Sequence, residues 1–268
     1  MTPKMQERMT TSVKIVKALK SFFIEIGELS FFAGRFFKEL FTRPFEFKEL
    51  LRQSYNVANK SMFLVGITGF ILGLVFSLQT RPTLTEFGAE SWMPSMVSIS
   101  IVRELGPVII ALICAGKISS GIGAELGSMR VTEQIDAMEV SGTNPFKYLV
   151  VTRIIATTLM LPLLIIFGDT IALFGSALIE NFRGDVSFQL YFNKVFNALE
   201  FSDIIPATIK TFFFGFAIGL VGSFKGYNCT KGTVGVGEAS NSAVVYTSLL
   251  LFIIDFIAVF ATDIFFEL

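Results

Sequence analysis

Histidine is absent from this 268-residue sequence, which also contains only two cysteines and one tryptophan. Without histidine, the chain lacks the usual general base of serine and cysteine hydrolases and the imidazole ligand of most zinc sites. Cys114 lies within an apolar run and Cys229 lies in a distant glycine-rich segment, so neither a disulfide framework nor a metal-binding spacing is indicated. We therefore expect no catalytic residue and no metal site in this chain.

A phosphate-binding loop is also missing. The nearest fragment, Gly116-Lys117-Ile118, lacks the leading glycine and the hydroxyl residue of the G-x-x-x-x-G-K-[ST] pattern. The glycine-rich segment 232–237 does not fit G-x-G-x-x-G and follows an apolar run rather than a strand, which predicts a flexible loop and not a dinucleotide site. We therefore expect no cofactor in this chain.

Apolar residues, in contrast, are abundant. The sequence is 52% hydrophobic with 31 phenylalanines, and its mean hydropathy is +0.66, more than a soluble domain of this length needs for its core. Crossing a ~30 Å hydrocarbon core takes about 20 helical residues. Five stretches meet this requirement, at about 62–80, 95–116, 150–179, 204–224 and 243–265. The sequence therefore predicts an all-α, polytopic membrane protein with about five transmembrane helices.

Charge balances overall, at 22 basic and 22 acidic residues, but it is unevenly distributed along the chain. If the amino terminus is cytoplasmic, the segments on that side hold 17 lysines and arginines and those on the other side hold three. The positive-inside rule favours this orientation, and five spans then place the carboxyl terminus on the periplasmic side.

Residues 1–60 predict basic amphipathic helices on the cytoplasmic side. Apolar side chains recur there at steps of three and four: Ile15, Leu19, Phe22, Ile26, Leu29, Phe32, Phe36 and Leu40. Such a helix packs either on a soluble core or in the membrane interface, and the interface is favoured because the chain offers no soluble core. Pro44 is predicted to end this helix, and a second short helix at about 47–59 is predicted to lead into the first span.

Five ionisable residues lie inside the predicted spans: Arg103, Glu104, Asp169, Lys210 and Asp255. A charge at the bilayer centre costs about 3 kcal/mol on insertion scales and is usually paired or turned to a polar cavity. Counted from the outer side of the membrane, Arg103 and Glu104 lie about 10 to 14 Å deep and Lys210 lies roughly 9 Å deep. Glu104 and Lys210 can therefore meet. Two interpretations stay open: a structural ion pair between helices, or a polar floor in a lipid-sized cavity where Arg103 or Lys210 attracts a phosphate headgroup. For Asp169 and Asp255, helix packing is favoured.

Glycines four residues apart allow close helix approach. The pairs are Gly69 with Gly73, Gly123 with Gly127, and Gly215 with Gly219. They indicate packing within one subunit or, alternatively, a dimer face.

The longest connection between spans on the basic side contains a predicted amphipathic helix at about 123–140. Its polar positions are Glu125, Arg130, Glu133, Gln134, Asp136 and Glu139. The acidic bias disfavours an anionic membrane surface, so contact with another protein is favoured.

Several of these segments match one known family in content and in order. They are Arg103 to Pro107 (RELGP), Ala115 to Lys117 (AGK), Ala124 to Val140 (AELGSMRVTEQIDAMEV), Asn144-Pro145, Phe224 to Tyr227 (FKGY) and Ser248 to Asp255. Together they resemble the signature of MlaE/YrbE-type permeases, the membrane subunits of ABC transporters associated with MCE proteins. The likeness covers roughly residues 50–264.

The resemblance implies a permease homodimer in the bacterial inner membrane that moves phospholipids between the inner and outer membranes. It implies two cytoplasmic ATPase subunits, which bind the ATP and Mg, and a periplasmic MCE-domain partner. It also implies a coupling helix docked on the ATPase, matched by Glu125 to Glu139, and a lipid cavity at Arg103, Glu104 and Lys210.

Two other classes of membrane protein are disfavoured. A secondary transporter more often shows internal repeats with two matching broken spans, and no such repeat occurs in this sequence. An intramembrane hydrolase would need a nucleophile with a partner base or a paired carboxylate. Only Asp169 and Asp255 are candidates, and nothing in the sequence brings them together.

Overall fold

The computed structural model describes residues 3–43, 45–184, 186–230 and 232–266, with side chains described at residue 20 and from 23 to 265 of these ranges. Helix is the only regular secondary structure among them. Five helices are long and apolar enough to cross a membrane: span 1, Phe47–Glu86; span 2, Glu90–Val131; span 3, Phe146–Gly184; span 4, Phe201–Tyr227; and span 5, Gly232–Phe265. The predicted fold class, an all-α polytopic membrane protein with about five spans, is confirmed.

Three other helices complete the described structure: the amino-terminal helix, Pro3–Leu40; the loop helix, Gln134–Val140; and the distal helix, Phe188–Ala198. Spans 1, 3 and 5 begin at one end of the bundle, which we call the basic end because most lysines and arginines of residues 46–268 lie near it. The other end, where spans 2 and 4 begin, is called the distal end.

The chain divides into two units, Met1–Phe45 and Glu46–Leu268. The first unit is the amino-terminal helix, which ends at Leu40, and the amide of Thr42 then donates to the carbonyl of Glu39 at 3.2 Å. The predicted stripe begins at Ile15, Leu19 and Phe22, whose side chains lie outside those described, as does the predicted stop at Pro44. The membrane-interface position of this helix stays a prediction.

In the second unit, span 3 is the most buried of the five spans and lies between spans 1 and 4. Span 2 contacts all four of the others, while spans 1 and 5 expose long apolar faces. Because apolar side chains can face lipid without a free-energy penalty, each of these two outer helices packs against the protein along only a narrow row of residues, its packed seam. In span 1 that seam recurs every four residues from Glu49 to Ser77.

Glycines bring the spans into backbone contact within one chain. Gly69 and Gly73 of span 1 lie against the backbone of Gly168 and Ala172 in span 3, where a Cβ on Gly73 would overlap the carbonyl oxygen of Ala172. The other two predicted pairs also face spans of the same chain, one toward span 5 and the other toward span 3. All three glycine pairs therefore pack inside the protomer.

Two segments differ from their predicted form. The predicted helix at about 47–59 is not separate, because residues Phe47–Glu86 form one continuous helix whose buried seam runs through both parts. The glycine-rich segment 232–237, predicted as a loop, forms the first turns of span 5. Val236 in those turns packs on span 2 at Gly127, and Ala239 and Ala243 farther along span 5 pack at Gly123.

Span 5 is attached mainly at the basic end. Hydroxyl groups of Ser119 and Thr247 lie 2.9 Å apart, and those of Ser120 and Ser240 lie 2.8 Å apart. The Lys225 ammonium sits 3.7 Å from the centre of the Tyr246 ring, a cation–π contact between spans 4 and 5. These contacts fix the first half of span 5 against spans 2 and 4.

The distal helix is fixed by a buried polar network. The Tyr191 hydroxyl donates to Ser176 of span 3 at 2.7 Å, and Ser77 of span 1 donates to the same Ser176 oxygen at 2.6 Å. Burial raises the pKa of Tyr191 to about 12, so its hydroxyl stays protonated and able to donate at physiological pH. One turn further along, Arg81 donates to the buried Glu180 at 2.9 Å. Spans 1 and 3 and the distal helix therefore form one rigid corner.

Candidate functional site

Five charged side chains from three spans meet near the distal end in what we call the distal cluster: Arg103 and Glu104 of span 2, Asp203 and Lys210 of span 4, and Asp255 of span 5. The Lys210 ammonium lies 2.6 Å from a Glu104 oxygen and 3.0 Å from an Asp255 oxygen. The Arg103 guanidinium lies 3.7 Å from Asp203. The cluster thus ties spans 2, 4 and 5 together.

Local helix geometry presents two of these groups. Residues Ile101–Leu105 form a π-helical turn inside span 2, and Arg103 and Glu104 lie on it. A π turn inserts an extra residue into the helix and is frequent at functional sites. Here it falls on two adjacent charged residues whose partners both lie on span 4.

Asp203 has two roles. It occupies the first turn of span 4, where one carboxylate oxygen accepts from the Glu200 amide at 3.2 Å in a capping box. Its other oxygen faces Arg103. A carboxylate in the first turn also complements the positive end of the helix dipole. The start of span 4 is therefore what positions the counter-ion of Arg103.

The two cations differ in exposure. The side chain of Lys210 is 4% exposed and is enclosed by its two carboxylates, whereas that of Arg103 is 30% exposed and has one long ion-pair contact. A guanidinium has five N–H donors, more than a single contact to Asp203 uses. Arg103 is therefore the cation of the cluster that is better placed to bind a further anion.

Asp169 of span 3 lies close by but has no direct ion-pair partner among the described residues. It is buried, and its Oδ1 atom has no hydrogen-bond partner within the described part of the chain. That oxygen occupies the space where Gly106, which follows the π turn, would otherwise carry a Cβ. The carboxyl group therefore packs against span 2 through the gap left by this glycine.

An apolar cleft of about 670 Å³ opens between spans 4 and 5 next to the distal cluster. Its walls include Ile205, Ile209, Phe213 and Ile257, and Lys210 also lines it. A smaller polar cleft, lined by Arg103, Glu104, Asp203 and Lys210 among others, shares four of its lining residues with the apolar one. Charged groups and an apolar cleft thus lie next to each other near the distal end.

The structure brings together the three residues predicted for the lipid site, Arg103, Glu104 and Lys210. The predicted meeting of Glu104 with Lys210 is confirmed. Asp255, predicted to serve helix packing, shares Lys210 with Glu104. Asp203 was not predicted, because it lies one residue before the predicted span 204–224. The signal that identifies it is the acidic pair Glu200 and Asp203, spaced as a capping box.

At the basic end, the predicted helix 123–140 is divided in two. Span 2 continues to Val131, and the loop helix begins at Gln134 after a turn. Glu133 adopts a left-handed conformation with φ of 59°, which is uncommon for a residue with a side chain. The loop helix is anchored by the fully buried Ile135, while Val140 at its end is 91% exposed.

The six polar positions predicted for coupling fall into two groups. Glu125 pairs with the buried Arg153 of span 3 at 2.8 Å, and Arg130 pairs with Asp136 across the turn at 2.5 Å. Glu133, Gln134 and Glu139 are exposed, and Gln134 donates to Thr132 at 3.0 Å. The first group joins this segment to the bundle, and the second presents an acidic, solvent-facing surface beside Val140.

Comparison with known proteins gives a consistent result. A family model described as Permease MlaE matches residues 50–261. A probable ABC transporter permease protein of Rickettsia felis is 36% identical over 242 residues, which cover 90% of this chain and 92% of that protein. The intermembrane phospholipid transport system permease protein MlaE of Haemophilus influenzae is 31% identical over 212 residues, or 79% and 81% of the two chains. The chloroplastic protein TRIGALACTOSYLDIACYLGLYCEROL 1 of Arabidopsis thaliana is 32% identical over 225 residues, or 84% of this chain and 64% of its own.

Proposed function

Because the chain belongs to the MlaE permease family, we propose that it is the membrane-spanning permease of an ATP-driven ABC transporter that moves phospholipid between inner and outer membranes. The observation that carries this proposal is the distal cluster, which opens onto an apolar cleft within the spans. A phospholipid has the same division, with an anionic phosphate next to apolar chains. The name of the Haemophilus relative supports the choice of cargo.

The proposed assembly has two copies of this chain, cytoplasmic ATPase subunits that hold the ATP and Mg, and a periplasmic MCE-domain protein. The sequence supports an ATPase on a separate chain, because it contains no phosphate-binding loop. The distribution of lysine and arginine supports an inner-membrane orientation with the basic end in the cytoplasm. In that orientation the loop helix faces the ATPase and the distal cluster lies on the periplasmic side.

In the proposed lipid site, Arg103 binds the phosphate, and Glu104 and Lys210 hold the spans around it. Lys210 is enclosed by carboxylates, whereas Arg103 retains exposed surface. The acyl chains lie along the apolar walls of the cleft between spans 4 and 5. Apolar burial then supplies most of the binding free energy, so discrimination between headgroups is modest.

Arg103→Ala is expected to slow phospholipid transport about ten- to a hundredfold, the loss associated with one charge-assisted hydrogen bond of about 1.5–3 kcal/mol. Transport of a labelled phospholipid by the complete complex in proteoliposomes measures the effect. Recovery of the ATPase with the variant should be unchanged, since Arg103 is remote from the loop helix. Arg103→Lys is the matched control, which keeps the charge but loses the planar fork. A normal rate for Arg103→Ala contradicts the headgroup role.

Coupling to ATP hydrolysis is proposed to pass through the loop helix and its flanking residues. The double variant Glu133→Lys and Glu139→Lys reverses two exposed charges at this surface, and it is expected to lower both ATPase recovery in pull-down and lipid-stimulated hydrolysis. Glu86→Lys, an exposed reversal at the distal end, is the control. Unchanged recovery of the ATPase with the double variant counts against docking at this segment.

The function as a whole is tested by purifying the tagged chain in mild detergent from its native host. Mass spectrometry then identifies the proteins and the lipids that accompany it. Recovery of an ATPase, an MCE-domain protein and phospholipid is the expected result. A chain that transports without ATP, or that recovers no such partners, contradicts the proposal.

A further inference from the structure

The distal helix, Phe188–Ala198, carries three phenylalanines on one face. Phe188, Phe192 and Phe196 are four residues apart, so they form a stripe along the helix, which we call the phenylalanine stripe. Tyr191 and Val195 lie on the adjacent, fully buried face. Phe188 is 38% exposed, Phe192 is half-buried, and Phe196 at the end of the helix is 74% exposed. Exposed phenylalanines on a rigid part of a protein usually mark a surface that contacts another apolar surface.

The next stripe on the distal helix is polar and uncharged. It consists of Gln189, Asn193 and Asn197, also four residues apart and all exposed. The one charged side chain of the helix, Lys194, donates to the carbonyl of Ser91 at 2.8 Å. The helix therefore presents a buried face, an apolar stripe and an uncharged polar stripe, while Leu190, which is 47% exposed, shares the remaining side with Lys194.

The apolar face continues the membrane-facing surface of span 3. The Phe188 ring stacks on that of Phe174, with centroids 6.3 Å apart and planes 13° apart. Phe174 belongs to a row of exposed apolar side chains on span 3 that also contains Leu163 and Ile166. It lies ten residues before Gly184, or about 15 Å of helix. The distal helix therefore packs alongside the end of span 3 and not beyond it.

We propose that the phenylalanine stripe is inserted among the lipid chains of the distal leaflet, so that the distal helix is an interfacial membrane anchor. The asparagine and glutamine stripe then lies at headgroup level, the arrangement that amphipathic interfacial helices adopt. The phenylalanine stripe continues the row of exposed apolar side chains on span 3, which favours lipid over a partner protein as what covers it.

Insertion of the stripe also sets a depth for the distal cluster. The distal helix ends at Ala198, and span 4 begins three residues later at Phe201, with Asp203 in its first turn. Asp203 in turn contacts Arg103. With the helix held in the interface, the guanidinium lies close beneath the headgroup layer of that leaflet. This depth follows from the insertion of the phenylalanine stripe and does not depend on the proposed transport activity.

The single tryptophan of the chain makes the test direct. Trp92→Phe, at an exposed position, gives a protein without tryptophan, into which Phe196→Trp or Asn193→Trp is introduced. Each full-length protein is reconstituted in nanodiscs, whose two faces are both open to the solvent. Fluorescence quenching is measured with lipids brominated along the acyl chain and, separately, with iodide in the buffer.

The expected result is opposite behaviour of the two tryptophans. Phe196→Trp should be quenched by brominated lipid, shielded from iodide and blue-shifted, while Asn193→Trp should be quenched by iodide. The proposal is overturned if Phe196→Trp responds to iodide as strongly as Asn193→Trp, or if it is shielded from both quenchers, which indicates a protein contact. Should Phe196→Trp not fold, Phe188→Trp reports on the same stripe with the same expected outcomes.

Discussion

Lys210→Met is expected to lower the free energy of unfolding by about 3 kcal/mol, the lower end of the usual cost of breaking a buried ion pair, because its carboxylate partners are partly exposed. The lysine is 4% exposed and bridges Glu104 at 2.6 Å and Asp255 at 3.0 Å. Its removal leaves the carboxylates of Glu104 and Asp255, whose side chains are 37% and 20% exposed, facing each other without their counter-ion. Thermal unfolding of the purified protein in detergent measures the loss, which should appear as a large fall in Tm.

A variant that neutralises all three residues of the Lys210 bridge distinguishes a structural ion pair from a lipid-binding site. Combining Lys210→Met with Glu104→Gln and Asp255→Asn removes the bridge without leaving an unpaired charge, so most of the lost stability should return. Arg103 and Asp203 are untouched, and transport is therefore expected to return with it. A triple variant that is stable but inactive shows instead that the Lys210 bridge itself contacts the cargo. If Lys210→Met alone unfolds at the parent temperature, the bridge contributes nothing measurable.

Gly73→Val is expected to be the most damaging change in the packing between spans 1 and 3, with a loss of at least about 3 kcal/mol. Its Cβ would overlap the carbonyl oxygen of Ala172, a backbone atom of span 3 that cannot rotate away. The two spans would have to separate, which also weakens the Gly69 contact and the Ser77 to Ser176 hydrogen bond. The measurements are the monodisperse fraction after extraction and the Tm of what remains.

The same substitution at Gly116 is the matched control. Gly116 lies in span 2, and nothing is found within 4 Å of where its Cβ would be. Gly116→Val is therefore expected to fold and unfold like the parent protein. Equal thermal stability of the two valine variants would mean that the close approach of spans 1 and 3 is not required.

Much of this fold follows from length and hydropathy alone. Each predicted span lies within one of the five observed helices, because about 20 apolar residues have no other stable place in a membrane protein. The contact of Glu104 with Lys210 was also predictable, since the helical rise fixes how deep each residue lies. Depth says nothing, however, about the side of a helix on which a residue lies. For that reason the ion pair between Asp255 and Lys210 could not be predicted from the sequence.

The coupling segment shows where the pattern fails. Its apolar and polar residues alternate as in one helix, and no glycine or proline interrupts 128–140. The break at Thr132 and Glu133 depends on a left-handed glutamate, a conformation that local sequence does not favour. The π turn at Ile101–Leu105, in contrast, is followed directly by Gly106 and Pro107, and the proline has no N–H to bond the carbonyl of Arg103. A local signal therefore exists for the π turn but not for the left-handed glutamate.

Because span 5 is attached mainly at the basic end, its distal half can tilt about those contacts. Its polar contacts to other spans include those of Ser240 and Thr247, near the basic end, and that of Asp255. Beyond Thr247 it extends 18 residues to Phe265, about 27 Å of helix, so a tilt of about 5° moves its tip by about 2 Å. The cleft beside Lys210 can therefore widen by the width of a methylene group while the hydroxyl contacts stay closed, and the ion pair with Asp255 is the one described polar bond that such a tilt would stretch.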